Sequence, residues 1–248
     1  MSTATAPRQE TRPAKRIPPL QAGDRLTRAE FERRYRSMPQ VNKAELIEGV
    51  VYMPSPVSNE GHSSPHFDLI TVLGIYRSQT PGIQGGDNGT VLLDLDNEPQ
   101  PDSFLRILPR YGGQSPDRGD YVEGAPELVA EVTSSSASYD LHDKLRAYRR
   151  NGVREYVVWR VWDGEIDWFV LREEVYERLA PTAEGVYRSE VFPGFFLDAA
   201  AHDTRELLLQ AVLEIVRPLT LVTAMVGWWW QSRGGAPGPG AQARSRAR

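Results

Sequence analysis

Acidic residues interrupt two otherwise apolar strand-like runs, and this feature constrains the fold more than any other. Asp102 stands in Gln100-Pro101-Asp102-Ser103-Phe104, and Glu131 stands in Leu128-Val129-Ala130-Glu131-Val132. An unpaired carboxylate in such surroundings is costly, and a metal ion or a cationic side chain normally offsets that cost. Because Lys144 follows on the next predicted helix, the spacing predicts a site of two carboxylates and one lysine.

Composition and charge limit the classes of protein to consider. The 248 residues, 40% of them apolar, are enough for one sizeable core with tails. The absence of cysteine excludes a thiol nucleophile and a disulfide framework, and it fits a cytoplasmic location. Residues 1–36 carry a net charge of +5, residues 37–203 carry −13 and residues 204–248 carry +4. The acidic centre weighs against a broad surface that follows DNA phosphates, unless the tails, a metal or a local patch supply positive charge.

Four segments are expected along the chain. Residues 1–22 form a disordered basic tail that does not resemble a signal peptide, and residues 23–203 form the folded domain. Residues 204–231 form an apolar helical segment whose uninterrupted run is too short to span a bilayer. Residues 232–248 form a flexible tail rich in Gly, Pro and Arg.

The apolar segment near the carboxyl end leaves two interpretations open. A helix there would pack on the domain or on a second copy of the chain in a homodimer. Alternatively, Trp228, Trp229 and Trp230, followed by Arg233, would make a weak contact with a membrane interface.

Hydrophobic periodicity predicts a mixture of helices and strands, and therefore an α/β fold. A dense apolar strand over residues 127–133, a helix ending at Asn151-Gly152 and an apolar strand over residues 156–159 predict a crossover with parallel strands. The other predicted elements are a helix after Thr27, a hairpin over 45–53, a helix from His66 to Pro81-Gly82, strands over 90–95, 103–108 and 166–171, a loop over 109–124 and a peripheral hairpin over 175–198.

The carboxylates and the lysine have a chemical reason to lie together. If the strands that carry Asp102 and Glu131 are neighbours, the two carboxylates can share a hard divalent cation such as Mg²⁺. Lys144 borders the apolar helix face of Tyr148, whereas Arg146 and Arg150 fall on the far side. Lys144 is therefore the cation expected at the sheet.

Two further acidic residues are secondary candidates. Glu127 lies an even number of residues before Glu131, so both side chains point to the same face of one strand. Pro126 places Glu127 where that strand begins. Asp140 is expected to cap a helix or to support the site without binding a metal.

His62 and His66 are four residues apart, a spacing found in metalloproteases. Pro65 between them argues against one continuous helix through both, and no glutamate follows His62. We expect them to flank a helix start, where they can contact substrate. No phosphate-binding Gly-rich loop and no serine nucleophile motif are present.

The ordered set of segments resembles the Uma2 family, a branch of the PD-(D/E)XK nuclease superfamily, from about Leu26 to Leu197. The matching segments are Glu45-Leu46-Ile47-Glu48-Gly49, Met53-Pro54-Ser55-Pro56 with His62 after it, Gln100-Pro101-Asp102, residues 125–132, residues 140–144 and Gly152-Val153-Arg154-Glu155-Tyr156.

The resemblance implies a restriction-endonuclease-like core, a mixed sheet flanked by helices, in which Asp102 and Glu131 bind the metal. Thr133 occupies the position where the superfamily has its lysine. The resemblance therefore implies that Lys144, on the following helix, replaces that lysine.

The resemblance also implies a function. Glu45 matches the amino-terminal glutamate of the family and would hold a second metal or a water, with Glu48 as its companion. The implied activity is cleavage of phosphodiester bonds in nucleic acid, DNA in the first place, with Mg²⁺ or Mn²⁺ as cofactor. The alternative is a catalytically idle protein of the same fold that binds or regulates partners through its tails.

Overall fold

A computed structural model describes residues 16–53, 56–134 and 137–198 of the protein. The predictions for residues 1–15 and 204–248, including those for Trp228, Trp229 and Trp230, lie outside the described residues. Within the described ranges, no helix has the length and apolar character needed to cross a membrane.

Short strands and helices alternate along the chain. The strands are β1 (Glu45–Ile47), β2 (Val50–Tyr52), β3 (Ile83–Asp87), β4 (Val91–Leu92), β5 (Ser103–Ile107), β6 (Asp117–Arg118), β7 (Tyr121–Glu123), β8 (Leu128–Thr133), β9 (Glu155–Arg160), β10 (Glu165–Arg172), β11 (Val175–Arg178), β12 (Val186–Arg188) and β13 (Phe196–Asp198). The α-helices are α1 (Arg28–Tyr35), α2 (Ser64–Gln79), α3 (Ala137–Tyr139) and α4 (Leu145–Arg150). A π-helical turn (Asn59–Ser63) precedes α2, a second one (Asp140–Lys144) precedes α4, and a 3₁₀ turn spans Pro109–Tyr111.

The central sheet has the strand order β11-β10-β9-β8-β5-β3. Strands β8 and β9 are parallel, and every other neighbouring pair in this sheet is antiparallel. The chain passes from β8 to β9 through α3 and α4, which confirms the predicted crossover. The mixed sheet with its helices is the α/β architecture expected from the sequence.

Helices cover both faces of the central sheet, and this explains the dense apolar sequence of β8. Successive residues of a strand point to opposite faces. Ala130 packs in one buried cluster with Leu69 of α2, whereas Val129 packs in another with Tyr148 of α4. The same alternation points Glu131 towards α4, so a carboxylate lies where packing alone would place an apolar side chain.

The β1–β2 hairpin and α1 form a third buried cluster beside the sheet. The hairpin turns at Glu48 and Gly49, whose φ angles are 53° and 73°. Leu46 packs with Phe31 of α1, and an isolated bridge joins Leu46 to Glu98. These contacts fix β1 against the segment that leads to β5.

The amino-terminal part of the described chain departs from the sequence prediction in two respects. Helix α1 begins after Thr27 as expected, but the Thr27 side chain makes no capping hydrogen bond. Leu20, which the sequence analysis placed in the tail, is buried beside Phe31. An apolar side chain that reaches the α1 cluster therefore joins the core ahead of the predicted boundary.

The predicted peripheral hairpin over residues 175–198 is confirmed in its second half, where β12 pairs with β13, and is wrong in its first half. Strand β11 extends the central sheet instead, because Glu173 and Glu174 adopt φ angles of 46° and 66° and form a tight reversal after β10. Strands β12 and β13 pair separately, and Phe192 and Phe195 are buried in the main core. The predicted loop over residues 109–124 likewise contains β6 and β7.

Candidate active site

Asp102 and Glu131 lie side by side at one end of the central sheet. Asp102 directly precedes β5, and the register of β5 with β8 pairs Ser103 with Ala130. The Asp102 backbone N–H donates to Oε2 of Glu131 at 3.3 Å, and the Val132 N–H donates to Oδ2 of Asp102 at 2.9 Å. The predicted neighbouring strands are confirmed, and the sheet itself holds the two carboxylates together.

Lys144 reaches these carboxylates from the π-helical turn before α4. Its Nζ donates to Oε1 of Glu131 at 2.9 Å and lies 3.2 Å from Oε1 of Glu45 and 3.8 Å from Oδ1 of Asp140. Only 4% of the Lys144 surface is exposed. The structure therefore brings together Glu45, Asp102, Glu131 and Lys144, which sequence reasoning had selected from four separate segments.

Glu45 connects the hairpin to the same cluster. It is the first residue of β1, and its Oε1 also accepts a hydrogen bond from the Gln100 N–H at 2.7 Å. One carboxylate oxygen thus lies close both to Lys144 and to the segment that ends at Asp102.

Tyrosines form the inner wall around Glu131 and Lys144. The Tyr148 hydroxyl donates to Oε1 of Glu131 at 2.9 Å, the oxygen that also accepts from Lys144. The ring centroids of Tyr139 and Tyr52 are 4.1 Å apart with the rings tilted by 34°, and Nζ of Lys144 lies 5.3 Å from the Tyr139 centroid. Tyr148 was predicted only as part of an apolar helix face, and no sequence signal identified Tyr139 or Tyr52.

Two histidines and a second lysine also lie close to Asp102. His62 Nε2 lies 3.1 Å from Oδ2 of Asp102, and Lys43 Nζ lies 3.6 Å from Oδ1. His66 Nε2 lies 2.7 Å from the backbone oxygen of Asp102. Lys43 was missed because a lone lysine in a polar loop has no distinctive pattern.

The expectation that Pro65 separates His62 from His66 is wrong. The π-helical turn that contains His62 runs directly into α2, and Pro65 lies in the first turn of α2. Proline is tolerated there because the first N–H groups of a helix have no intrahelical partner. The two histidines do flank the start of α2, as expected, and their ring centroids are 5.5 Å apart.

Positive neighbours keep Asp102 ionised. Burial alone would raise the pKa of this carboxyl group. The hydrogen bond with His62 and the charges of Lys144 and Lys43 outweigh burial and hold the pKa of Asp102 well below its ordinary value. Asp102 therefore presents a carboxylate throughout the neutral pH range.

Glu131 has the opposite electrostatic environment. Burial raises its pKa to about 8; Lys144 opposes this shift, whereas Asp102, Asp140 and Glu45 reinforce it. Burial would lower the pKa of Lys144, but the surrounding carboxylates outweigh burial and raise the pKa of Lys144 well above its usual value. Around this ammonium group the carboxylates are in excess, a charge imbalance that a divalent cation would relieve.

The donors suit a hard cation that keeps most of its waters. Asp102 and Glu131 provide adjacent carboxylate oxygens, the ligands that Mg²⁺ prefers, and Mg²⁺ sites commonly use only one or two carboxylates with water and substrate phosphate. Among the described residues, no three His, Asp or Glu side chains are grouped as a ready-made metal cage. The fit is therefore to an open site rather than to an all-protein one.

Two secondary candidates lie outside this pocket. Glu127 is fully buried, and its carboxylate accepts from the Ile107 N–H at 2.7 Å and from the Gln114 N–H at 3.0 Å. Glu48, in the hairpin turn, pairs with Arg150 at 2.9 Å. Both side chains bind groups that belong to the structural framework, and neither lines the pocket that contains Asp102 and Glu131.

Asp140 and His62 do line that pocket. Asp140 begins the π-helical turn and does not cap a helix, because the residue in the capping position is Tyr139. Asp140 is buried 3.8 Å from the Lys144 ammonium group, so the prediction of a supporting position fits its placement.

The pocket itself is open to solvent and has a volume of about 410 Å³. Its floor is formed by Glu45, Asp102, Glu131 and Lys144, and its rim includes Lys43 and His62. A mixed sheet with helices on both faces and acidic residues at one end of two neighbouring strands defines a restriction-endonuclease-like α/β protein.

Comparison with known proteins supports this class. A crystal structure from Anabaena variabilis, described as a "putative nuclease belonging to DUF820", aligns with a TM-score of 0.50 and 14% sequence identity. The alignment covers 72% of this chain and 97% of that chain, and at this identity the likeness shows the fold alone. No curated protein sequence matches the chain.

The family is established by the sequence match. The Uma2 family, described as "Putative restriction endonuclease", matches residues 28–200. This match spans more than half of the chain, and the protein therefore belongs to the Uma2 family. The resemblance found over about residues 26–197 is confirmed.

Proposed function

We propose that this protein is a metal-dependent endonuclease that hydrolyses phosphodiester bonds in nucleic acid, with DNA as the expected substrate. One observation carries the proposal: Glu131 and Glu45 converge on the ammonium group of Lys144, and Asp102 adjoins Glu131 in an open pocket. Buried charge of this kind is costly to fold, and catalysis is a common reason for retaining it. Membership of the Uma2 family supports the same conclusion.

The adjacent carboxylates are the proposed metal ligands. Asp102 and Glu131 would hold a Mg²⁺ or Mn²⁺ ion, and Glu45 would contribute to a second ion or bind a water. When bound, such a cation makes a coordinated water more acidic and stabilises negative charge on a phosphate. His62, with Nε2 3.1 Å from Oδ2 of Asp102, would help to hold this carboxylate in place.

Lys144 is the proposed partner of the reacting groups. In hydrolysis, a water oxygen forms a bond to phosphorus and loses its proton, while the bond from phosphorus to one ester oxygen breaks and that oxygen leaves as a hydroxyl group after taking a proton. Negative charge increases on the phosphate as the two bonds exchange. An ammonium group carries three N–H donors, so Lys144 can contact Glu131 and Glu45 and still donate to a water or a phosphate oxygen. Its fixed positive charge would stabilise the transition state.

Lys144 takes the role of the superfamily lysine from a different position in the sequence. Thr133, which stands at the position implied for that lysine, is buried at the end of β8. Lys144 reaches the same carboxylate from the helix that crosses over β8. An ammonium group beside Glu131 is thus retained although its position in the sequence has changed.

A catalytically idle binding protein is the second candidate. The net charge of −13 over residues 37–203 favours it. Metal binding separates the two candidates. Calorimetry with Mg²⁺ and Mn²⁺ should show heat for the wild type and a strongly reduced signal for Asp102→Ala, and the absence of heat in both would contradict the nuclease.

Cleavage is then measured directly on supercoiled plasmid and on circular single-stranded DNA, each with Mg²⁺ or Mn²⁺. We expect cleavage by the wild type and losses of about 100-fold or more for Glu131→Ala and Lys144→Ala. Glu177→Ala is the control, because Glu177 is exposed on the edge strand β11. Equal activity in wild type, Glu131→Ala and Lys144→Ala would exclude the proposed site.

A further inference from the structure

A second groove, here called the side groove, opens directly from the active-site pocket. Its volume is about 450 Å³, and it shares Lys43, His62 and Asp102 with that pocket. From Asp102 it extends along the outer side of α2 to Phe67 and Ile70. A polymer whose reacting phosphate lay at Asp102 would therefore continue into the side groove.

The inner end of the side groove carries one fixed cation, Lys43, beside the carboxylates of Asp87 and Asp102. Nζ of Lys43 lies 2.8 Å from Oδ1 of Asn88 and 3.6 Å from Oδ1 of Asp102, with about a quarter of the side chain exposed. The His66 ring lies beside it, with Nε2 3.4 Å from Oδ1 of Asp87. Lysine in such a position is suited to contact one phosphate group of a nucleic acid.

The outer end of the side groove is apolar and exposed. Phe67 is 71% exposed, although α2 buries Leu69, Val72 and Tyr76 in the core. An exposed phenylalanine ring gains nothing from the fold itself. Rings of this kind beside a phosphate-binding group are the stacking surfaces on which proteins hold unpaired bases.

The charge of the domain determines which form of nucleic acid fits. A duplex is held mainly by many cations that neutralise phosphates on both strands, whereas residues 37–203 carry a net charge of −13. A base stacked on a ring needs few cations, and stacking is available only when the base is unpaired. The acidic charge of the domain and the exposed ring of Phe67 therefore both favour an unpaired strand over a duplex.

We propose that the side groove binds one nucleotide of an unpaired strand next to the cleaved bond, with Lys43 contacting its phosphate and Phe67 stacking on its base. This inference rests on the proposed nuclease function and names its substrate class. It assigns two specificity residues, Lys43 and Phe67, that the carboxylate cluster does not include. Duplex substrates would then be cleaved where their strands are open.

Binding is tested with the full chain by fluorescence anisotropy, using a labelled 20-nucleotide single strand, its duplex and an RNA strand of the same sequence, with Ca²⁺ in place of Mg²⁺. We expect the unpaired strand to bind about tenfold or more tightly than the duplex, and Phe67→Ala to remove about tenfold of that affinity. Tyr111→Ala is the matched control, because Tyr111 is an aromatic residue with 56% exposure near the opposite end of β5. A preference for DNA or for RNA supports the proposal if the unpaired form exceeds the duplex and the affinity depends on Phe67.

Lys43 is tested by the salt dependence of the same binding. Removing one phosphate contact in Lys43→Ala should lower the slope of log affinity against log salt by about one, and Lys43→Arg should restore it. Arg118→Ala, an exposed cation on β6, should leave the slope unchanged. An unchanged slope in Lys43→Ala would overturn the phosphate contact.

The outcomes distinguish this inference from the proposed function. If the wild type cleaves nucleic acid but Phe67→Ala binds and cleaves like wild type, or duplex binds as tightly as single strand, the side groove is not the nucleotide site. If no substrate is cleaved with Mg²⁺ or Mn²⁺, the nuclease proposal fails. A Phe67-dependent preference for unpaired strands would in that case still support the groove as a binding site.

Discussion

The ammonium nitrogen of Lys144 lies 2.9 Å from Oε1 of Glu131, although one residue belongs to a helical turn and the other to the sheet. The hydroxyl of Tyr148, one turn further along, donates to the same oxygen at the same distance. The crossover helix therefore supplies both donors to the buried carboxylate. The candidate site depends on how this helix docks on β8.

Removal of the Lys144 charge should abolish cleavage without abolishing the fold. We expect Lys144→Met to lower kcat about 100-fold or more, and Lys144→Arg to retain part of the activity, because a cation is needed beside the phosphate. Arg146→Met is the matched control, since Arg146 is 54% exposed on the same helix. Circular dichroism verifies folding, and full activity of Lys144→Met would contradict the assigned role.

Divalent metal should stabilise the protein through Asp102. A ligand at 100 times its Kd raises the free energy of unfolding by about 2.7 kcal/mol, which thermal unfolding detects as a higher Tm. We expect Mg²⁺ or Mn²⁺ to raise the Tm of the wild type, and Asp102→Asn to lose this response. Asp120→Asn, a change on the exposed loop between β6 and β7, should keep it; equal responses in both variants would place the metal elsewhere.

Glu98 should make the protein less stable as pH rises. Burial, reinforced by the charge of Glu32, raises the pKa of Glu98 to about 7, and its Oε2 has no hydrogen-bond partner among the described residues. The unfolded chain ionises this group near pH 4.5 and the folded chain only near pH 7, so stability is lost between these values as pH increases.

The size of this loss is about 3 kcal/mol for a shift of this extent. Urea unfolding from pH 4 to pH 8 should show Glu98→Gln with a smaller decline in stability than the wild type. Glu123→Gln is the control at a half-exposed site. Parallel profiles for wild type and Glu98→Gln would show that Glu98 does not titrate in this range.

Gly86 should tolerate no side chain. It pairs with Phe104 across β3 and β5, and a Cβ atom there would lie 2.1 Å from the Phe104 ring. We expect Gly86→Ala to lower the free energy of unfolding by about 1–3 kcal/mol through overpacking. Gly74→Ala on α2 meets no atom within 4 Å and should stabilise the helix by about 0.5–1 kcal/mol. Chemical denaturation should show a lower free energy of unfolding for Gly86→Ala and a higher one for Gly74→Ala. A Gly86→Ala protein as stable as wild type would contradict the contact.

Glu127 should prove structural rather than catalytic. Its carboxylate accepts from two backbone N–H groups. In Glu127→Gln the side-chain N–H₂ group would face one of these N–H donors, which would then lose its acceptor. We expect this to lower the free energy of unfolding by about 1–3 kcal/mol. Activity per folded molecule should stay near the wild-type value, whereas Glu131→Gln should lose it. A large fall in kcat for a folded Glu127→Gln protein would return Glu127 to the active site.

Much of the site was predictable because buried charge leaves a signal in sequence. Asp102 and Glu131 stand out against apolar neighbours, and Lys144 could be separated from Arg146 by its position relative to Tyr148. The α/β class and the parallel crossover followed from the order of apolar runs. The ordered Uma2 segments added Glu45, which composition and periodicity do not distinguish from any other glutamate in a hairpin.

Other features of the site could be identified only from the folded structure. Glu127 and Glu131 both adjoin the apolar residues of β8, yet Glu127 accepts from the backbone amides of Ile107 and Gln114, whereas Glu131 accepts from Lys144. Lys43 comes from a polar loop and approaches Asp102 only because the hairpin packs beside β5. Local pattern cannot distinguish these cases, because the partners are remote in sequence.

The sequence by itself determined which residues must be buried and which of those carry charge, since hydrophobic periodicity and the cost of desolvation act locally along the chain. The tertiary structure decided which carboxylates share the Lys144 ammonium group and which satisfy backbone amides. It also decided that Phe67 remains exposed beside the pocket. Such pairings depend on distances of a few ångströms between separate elements, and those distances are fixed only when the helices dock on the sheet.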